Sequence, residues 1–181
     1  MVCLGALGRN KGIELLSEVM QLDLAQGRRF EFHFVGKLAG AFTPDRWGGY
    51  LHGPYTRDSF ASVLGGIEPS FSLIASTWPE TYCHTLTESW MCGVPALVAD
   101  IGTLRERVRR GGGGWLLDYT NARRWYEGML SLGLDDWHEK RAEIADMQFP
   151  TVDAMAREYR DLYRELLSGN QRLAPLSAAT T

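Results

Sequence analysis

A chain of 181 residues with a formal net charge of −3, 45% hydrophobic and 23% charged, can bury one ordinary core, and its basic residues are scattered rather than gathered into a nucleic-acid stripe. Cys3, Cys83 and Cys92 lack paired ligand spacing, so neither a disulfide scaffold nor a structural zinc site is indicated, and reduced thiols with a cytoplasmic setting are expected. No apolar run approaches the roughly 20 residues that cross a bilayer, and Met1 leads straight into a strand pattern without a charged leader head.

The apolar pattern alternates between strand and helix. Val2 to Leu7 reads as a buried strand, Gly8-Arg9-Asn10 as a turn, and Gly12 to Ala25 as a helix with Ile13, Leu16, Met20 and Leu24 on its apolar side. Phe30 to Val35 reads as a strand stopped by Gly36, and Gly40 to Gly49 as the least regular stretch. Tyr50-Leu51-His52 gives a short strand; a helix capped by Thr56 then carries Phe60, Val63 and Leu64 before Gly65-Gly66.

Phe71 to Ala75 is a further buried strand, and Thr81 to Cys92 has helical spacing, with Leu86 and Trp90 four apart. Ala96 to Ala99 is a strand, Leu104 to Arg110 a helix with its arginines on a solvated face, and Trp115 to Leu117 a last strand. Gly111 to Gly114 lacks the context of a phosphate loop and reads as a tight turn. This alternation predicts an α/β fold, a Rossmann-like parallel sheet with helices on both faces. A helical extension from about residue 119 follows, with segments Ala122 to Leu132, Asp136 to Met147 and Val152 to Leu167 wrapping the domain. One domain over 1–167 and a disordered tail over 168–181 are expected.

The segment from Trp78 to Pro95 carries the most chemistry. It sets Glu80 and Glu88 eight residues apart, around a strand-to-helix junction. Helical throughout, that interval would span about 12 Å of rise and end roughly 80° round. Glu80 is then expected at a helix N-terminus, where unpaired N–H groups suit a phosphate. A carboxylate accepts two hydrogen bonds from adjacent hydroxyls, which a ribose or a hexose presents, so each glutamate is suited to one ring of an elongated ligand. The plainer alternatives are a Glu80 that only answers the helix macrodipole and a Glu88 on a helix surface.

The glutamate pair resembles the signature of the GT-B retaining glycosyltransferases of the glycosyl transferases group 1 family. Lys11-Gly12 before Ile13-Glu14-Leu15-Leu16 is similar to that family's opening of the first donor-domain helix, and His52-Gly53-Pro54-Tyr55 to its mid-domain strand end. Gly93-Val94-Pro95, Gly102 to Glu106 and Gly114-Trp115-Leu116 resemble the segments that follow the second glutamate. The resemblance runs from about Val2 to Leu117, with a less specific match in Met155 to Tyr159 and Leu162-Tyr163.

The resemblance implies the C-terminal, donor-binding half of a two-domain enzyme, with the N-terminal acceptor-binding half missing. The implied reaction moves a sugar from a nucleoside diphosphate sugar to a saccharide or lipid-linked acceptor. The donor is a substrate, and neither a cofactor nor a metal is expected; no Asp-x-Asp cluster is present. Surface polysaccharide assembly, and a peripheral place at the inner membrane face through the missing half, are family-based expectations.

By the same resemblance Lys11 and Glu80 are the catalytic candidates: Lys11 meets the diphosphate and Glu80 the transferred sugar. Glu88 meets the ribose, and backbone N–H groups from Thr81 through Tyr82, Cys83, His84, Thr85 and Leu86 meet phosphate oxygens. Gly36-Lys37 and Leu51-His52 border the base, while Trp78 and Trp90 read as core or wall residues. One position departs from the pattern. The family has a glycine-arginine pair ahead of the lysine, and here Gly5 is followed by Ala6. Arg9 is the candidate substitute. Two other readings stay open: a nucleotide-sugar epimerase domain, and a scaffold module with a degenerate donor site.

Overall fold

The structure, a computed structural model, describes residues 1–40, 42–149 and 151–170. They divide into two units, Met1–Met147 and Gln148–Thr181. Among the described residues the first contains six strands and six helices, alternating except that β3 follows β2 and α6 follows α5: β1 (Val2–Leu7), α1 (Ile13–Ala25), β2 (His33–Leu38), β3 (Tyr50–Gly53), α2 (Phe60–Ile67), β4 (Ser72–Ile74), α3 (His84–Met91), β5 (Ala96–Ala99), α4 (Gly102–Gly111), β6 (Gly114–Leu117), α5 (Ala122–Ser131) and α6 (Leu134–Ala145). Short 3-10 turns occupy Arg9–Lys11 and Pro44–Trp47.

All six strands pair in parallel, in the order β3-β2-β1-β4-β5-β6. The chain winds outward from β1 in one direction through β2 and β3, then crosses back to β4 and winds the other way. Because parallel crossovers are right-handed, α1, which links β1 to β2, lies on one face, and α2, α3 and α4, which link strands in the opposite direction, lie on the other. Val2, Leu4 and Val35 meet Phe60 and Leu64 of α2 in one core cluster. Every residue of β5 is buried, as a strand covered on both faces requires.

α5 packs on α1. Its Trp125 is fully buried, and the Tyr126 hydroxyl donates to Oδ1 of Asp23, which is itself 2% exposed (3.2 Å). That carboxylate also accepts from the Arg29 amide at 3.0 Å, so its burial is compensated by hydrogen bonds. α6 is tied down by the Trp137 indole N–H donating to the Ser70 carbonyl (2.6 Å) and by the Gly113 amide donating to Glu143 Oε2 (2.6 Å).

The second unit contains α7 (Val152–Asn170), which opens on the Thr151 hydroxyl accepting from the Ala154 amide at 3.1 Å. Residues 148–149 and 151 precede it.

Several expected boundaries move. The Phe30-to-Val35 strand begins instead at His33 and passes through Gly36 to Leu38, because Gly36 holds φ 143° inside the strand. Leu24 is 44% exposed, and α1 buries Leu15, Val19 and Asp23 beside Ile13, Leu16 and Met20. Thr56 does not cap α2, whose N-cap is Ser59; the Ser59 hydroxyl instead accepts from the Thr56 amide at 2.9 Å. α2 also continues through Gly65-Gly66 to Ile67.

α7 runs to Asn170, beyond the predicted start of the tail at 168; residues 171–181 lie outside the described residues. Among the described residues no helix is long and apolar enough to cross a membrane. The three cysteines are free; burial pushes the Cys3 thiol up to about 12.

Candidate functional site

The sheet order reverses between β1 and β4, so the turns leaving these two neighbours diverge and leave a crevice beyond their C-terminal ends, where open parallel sheets place ligands. Lys11 leaves β1 and Glu80 leaves β4. The structure brings them together: Lys11 Nζ lies 2.7 Å from Glu80 Oε1, with side-chain exposures of 26% and 17%. The buried Ser76 hydroxyl also donates to Glu80 Oε1. Burial works against the Glu80 charge, but hydrogen bonds from Lys11 and Ser76 outweigh it and hold the carboxyl below its ordinary range.

Two loops are stitched together to make this pair. The Thr77 amide donates to the Asn10 carbonyl at 3.0 Å, and the Thr77 hydroxyl to the Arg9 carbonyl at 3.1 Å. Close main-chain approach completes the join. Gly12 adopts φ 73°, and a Cβ there would overlap the Ala75 carbonyl, so the entry of α1 lies directly against the end of β4. Similarly, a Cβ on Gly36 would overlap the Gly5 carbonyl.

Glu80 departs from expectation in one respect. The helix begins at His84, not Thr81, so Glu80 belongs to the loop and no acidic residue lies in the first turn of α3. Its carboxylate therefore answers Lys11 and not the macrodipole. The Glu80-to-Glu88 interval is helical only from residue 84, so the all-helical rise and rotation do not describe it. Glu88 stands on α3, where its Oε2 accepts a hydrogen bond from the Tyr55 hydroxyl at 2.6 Å. Burial first, then that bond to Glu88, raise the Tyr55 phenol well above its ordinary value, so it remains a donor.

Between the glutamates the chain takes an uncommon path. Cys83, the N-cap of α3, has φ 66°, a left-handed conformation rare outside glycine. Its buried thiol lies 3.2 Å from Thr85 Oγ1, the Leu86 amide is directed at its sulfur, and burial raises its pKa. Leu86 is fully buried, and Thr85 Cγ2 would come within 3.0 Å of a Cβ on Gly5, bringing the start of α3 over the end of β1. Thr81, Tyr82 and His84 are exposed, the last two with rings 5.1 Å apart.

Other assignments change. Arg9, the candidate substitute at the diphosphate, is exposed and paired with Glu14 at 2.9 Å. Lys37 stands in register with Ala6 at the end of β2. His52 Nε2 lies 2.9 Å from Nδ1 of His33, the first residue of β2, and so is drawn toward the opposite end of the sheet. Of the two tryptophans expected in core or wall, Trp90 is in the core, its indole N–H donating to the Gly113 carbonyl at 2.8 Å, while Trp78 is 69% exposed, which leaves it only a place in the wall.

The α4 arginines do not form a uniformly solvated face. Arg105 pairs with Asp100, and Arg107 reaches the loop ahead of α3: Nη1 donates to the carbonyls of Tyr82 (2.7 Å) and Cys83 (2.9 Å), and Nη2 to Thr87 Oγ1 (2.8 Å). Sequence reading missed Arg107, Tyr55 and Ser76. For Arg107 a signal existed: it stands three after Leu104 and one before Val108, both buried, and so falls on the apolar stripe of α4.

The site is a surface crevice. A hollow of about 500 Å³ lies elsewhere, lined by residues of α1 and the start of α5 such as Glu18, Gln21 and Arg123, and carries none of this chemistry.

Comparison with known proteins follows the same lines. No curated protein matches this sequence. Among solved structures, sucrose-phosphate synthase from Thermosynechococcus elongatus aligns over 93% of this chain and 46% of its own, with TM-score 0.68 and 18% identity. HepE from Anabaena, in complex with UDP and glucose, aligns over 80% and 41%, with TM-score 0.58 and 21% identity. The C-terminal domain of a glycosyl transferase group 1 family protein from Francisella tularensis aligns over 80% and 79%, with TM-score 0.58 and 14% identity. This chain thus spans less than half the length of the first two. The likenesses establish the fold. Residues 70–147, which include both glutamates, Arg107 and α3 to α6, match the family described as Glycosyl transferases group 1. That segment is similar to the glycosyl transferases group 1 family, and it lies within a fold that is one half of the GT-B architecture.

Proposed function

We propose that this chain is the donor-binding domain of a retaining glycosyltransferase, which moves a sugar from a nucleoside diphosphate sugar to a saccharide or lipid-linked acceptor. The observation that carries the reading is the Lys11–Glu80 pair at the switch point of the sheet, with Glu88 following on α3. In this reading the Glu88 oxygen not engaged by Tyr55 accepts from the ribose hydroxyls. Glu80 accepts from hydroxyls of the transferred sugar, and Lys11 stabilises the negative charge that develops on the leaving diphosphate, where an oriented cation contributes most to rate.

Because Glu80 holds the ammonium of Lys11 in place before any donor arrives, little reorganisation is needed when the charge appears. The acceptor half completes the cleft, so the isolated domain binds nucleotide and transfers little or no sugar. The work of transfer is then electrostatic and positional, and no protein-bound cofactor takes part. A cytoplasmic place and a role in polysaccharide assembly belong to the same proposal.

Ala6 favours a second reading, a scaffold module whose donor site has decayed, since the exposed Arg9 rests on Glu14 and not against Lys11. Titrating the purified chain by calorimetry with UDP, GDP and ADP decides between them. Saturable binding of one diphosphate, weakened by both Glu88→Ala and Lys11→Ala, supports the donor site and identifies the base. Absence of binding by this chain and by the full-length protein supports the scaffold. Product analysis on the full-length protein separates transfer from epimerisation of the sugar.

A further inference from the structure

Arg107 is a half-buried cation whose hydrogen-bond acceptors among the described residues are all neutral: the carbonyls of Tyr82 and Cys83 and the hydroxyl of Thr87. Two aromatic faces add to this, with its guanidinium carbon 4.3 Å from the ring centre of Tyr82 and 5.0 Å from that of Trp90. This partly desolvated guanidinium has no carboxylate within salt-bridge distance among the described residues to compensate it. Its neighbour on the same helix, Arg105, is by contrast paired with Asp100.

The groups that Arg107 holds define the direction of two others. In a trans peptide the carbonyl of one residue and the N–H of the next point in opposite directions, and the described residues contain no cis bond. Fixing the Tyr82 and Cys83 carbonyls on one guanidinium therefore turns the N–H groups of Cys83 and His84 away from it. Neither amide is taken by another group among the described residues. The left-handed Cys83 lies between these two peptides, so their orientation is not one the chain would adopt unaided.

We propose that Arg107 is the positioning residue of the diphosphate site: from behind the Tyr82-Cys83 loop it aims the Cys83 and His84 amides at the phosphates and supplies the positive charge absent at Ala6. This rests on the donor-site reading and adds to it a residue that does not touch the ligand. The ligand's diphosphate is the missing counter-charge, felt through two polarised peptide groups.

The test compares nucleoside diphosphate with nucleoside, using UDP, GDP and ADP against uridine, guanosine and adenosine, on the full chain. Arg107→Met is expected to weaken the best diphosphate about tenfold while leaving its nucleoside within about twofold. Arg107→Lys keeps the charge without the fork and falls between. Arg109→Met, at an exposed position on the same helix, controls for net charge and leaves both ligands unchanged. Equal losses for diphosphate and nucleoside, or no loss, overturn the proposal.

Should Arg107→Met fail to fold, amide resonances of the wild type decide. Those of Cys83 and His84 shift with the diphosphate and not with the nucleoside, and unmoved resonances overturn the assignment. If the wild type binds diphosphate and the Arg107 variants bind it equally well, only this inference falls. If neither this chain nor the full-length protein binds any of the three diphosphates, the donor-site reading falls first and this inference with it.

Discussion

Lys11 and Glu80 form one ion pair, 2.7 Å between Nζ and Oε1, that joins the turn after β1 to the turn after β4. Hydrogen bonds from Lys11 and Ser76 stabilise the Glu80 carboxylate against its burial, and the pair is shielded enough for this to register in stability. The Glu80 carboxyl titrates below its ordinary range in the folded protein, so at intermediate acid pH the unfolded chain binds the extra proton and folding is favoured as pH rises. That contribution is fully present above the ordinary glutamate pKa of about 4.3 and is lost as pH falls through the depressed value. Glu80→Gln is expected to flatten the acid limb of a urea-melt pH series between about pH 5 and 3. An unchanged limb would show that the pair does not persist in solution. Lys11→Ala combined with Glu80→Gln should cost less than the sum of the single changes, as expected of residues in contact.

Tyr55 orients Glu88 through a 2.6 Å hydrogen bond. Tyr55→Phe removes one donor and leaves the ring, so the carboxylate gains rotational freedom without loss of packing. If Glu88 holds a ribose, the variant should bind the nucleoside diphosphate about three- to tenfold more weakly, the worth of one such bond. The 2′-deoxy ligand, which lacks one of the hydroxyls concerned, should lose less. Equal losses for the two ligands would remove Glu88 from the ribose.

Gly12 is the tightest point of the join between the two halves of the sheet. Any side chain there meets the Ala75 carbonyl and must also adopt φ 73°. Gly12→Ala is therefore expected to cost roughly 2–4 kcal/mol, the sum of a left-handed backbone penalty and local overpacking. Chemical denaturation measures this directly, and a cost below about 0.5 kcal/mol, the range of ordinary surface substitutions, would contradict the close approach.

Ser72 in β4 is 1% exposed, and its hydroxyl has no partner among the described residues. Removing an unsatisfied buried hydroxyl relieves a desolvation cost and leaves only a small void. Ser72→Ala should be neutral or raise Tm by up to about 4 °C. A clear loss of stability would mean that the hydroxyl has a partner the structure does not hold.

The alternating elements were legible in the sequence because buried parallel strands such as Ala96 to Ala99 are short unbroken apolar runs, and α1 carries a helical stripe. Their ends were less so. Gly36 resembles a strand terminator, yet it lies within β2 because the main chain of β1 approaches it closely, a tertiary reason invisible in the local sequence. The helix start at His84 was hidden for a similar reason: Cys83 in a left-handed conformation interrupts a stretch whose spacing alone looks helical. Glu80 and Glu88 stood out by type and spacing, and Lys11 only through the resemblance of Lys11-Gly12 to the family's first donor-domain helix. Tyr55, which donates to Glu88, and Arg107, which holds the loop between the glutamates, did not, because both reach the site from segments distant in sequence, and only the apolar stripe of α4 hinted at a half-buried guanidinium.

The floor of the crevice is made where Gly5, Gly12, Gly36 and Ala75 press main chain against main chain. Such a floor presents carbonyl and amide groups that no codon change can exchange, and it has no room to accept a larger residue. Attempts to retune what this domain accepts would therefore have to leave the base of the crevice alone and work outward, at positions such as Lys37, Trp78 and Tyr82, whose side chains stand in solvent.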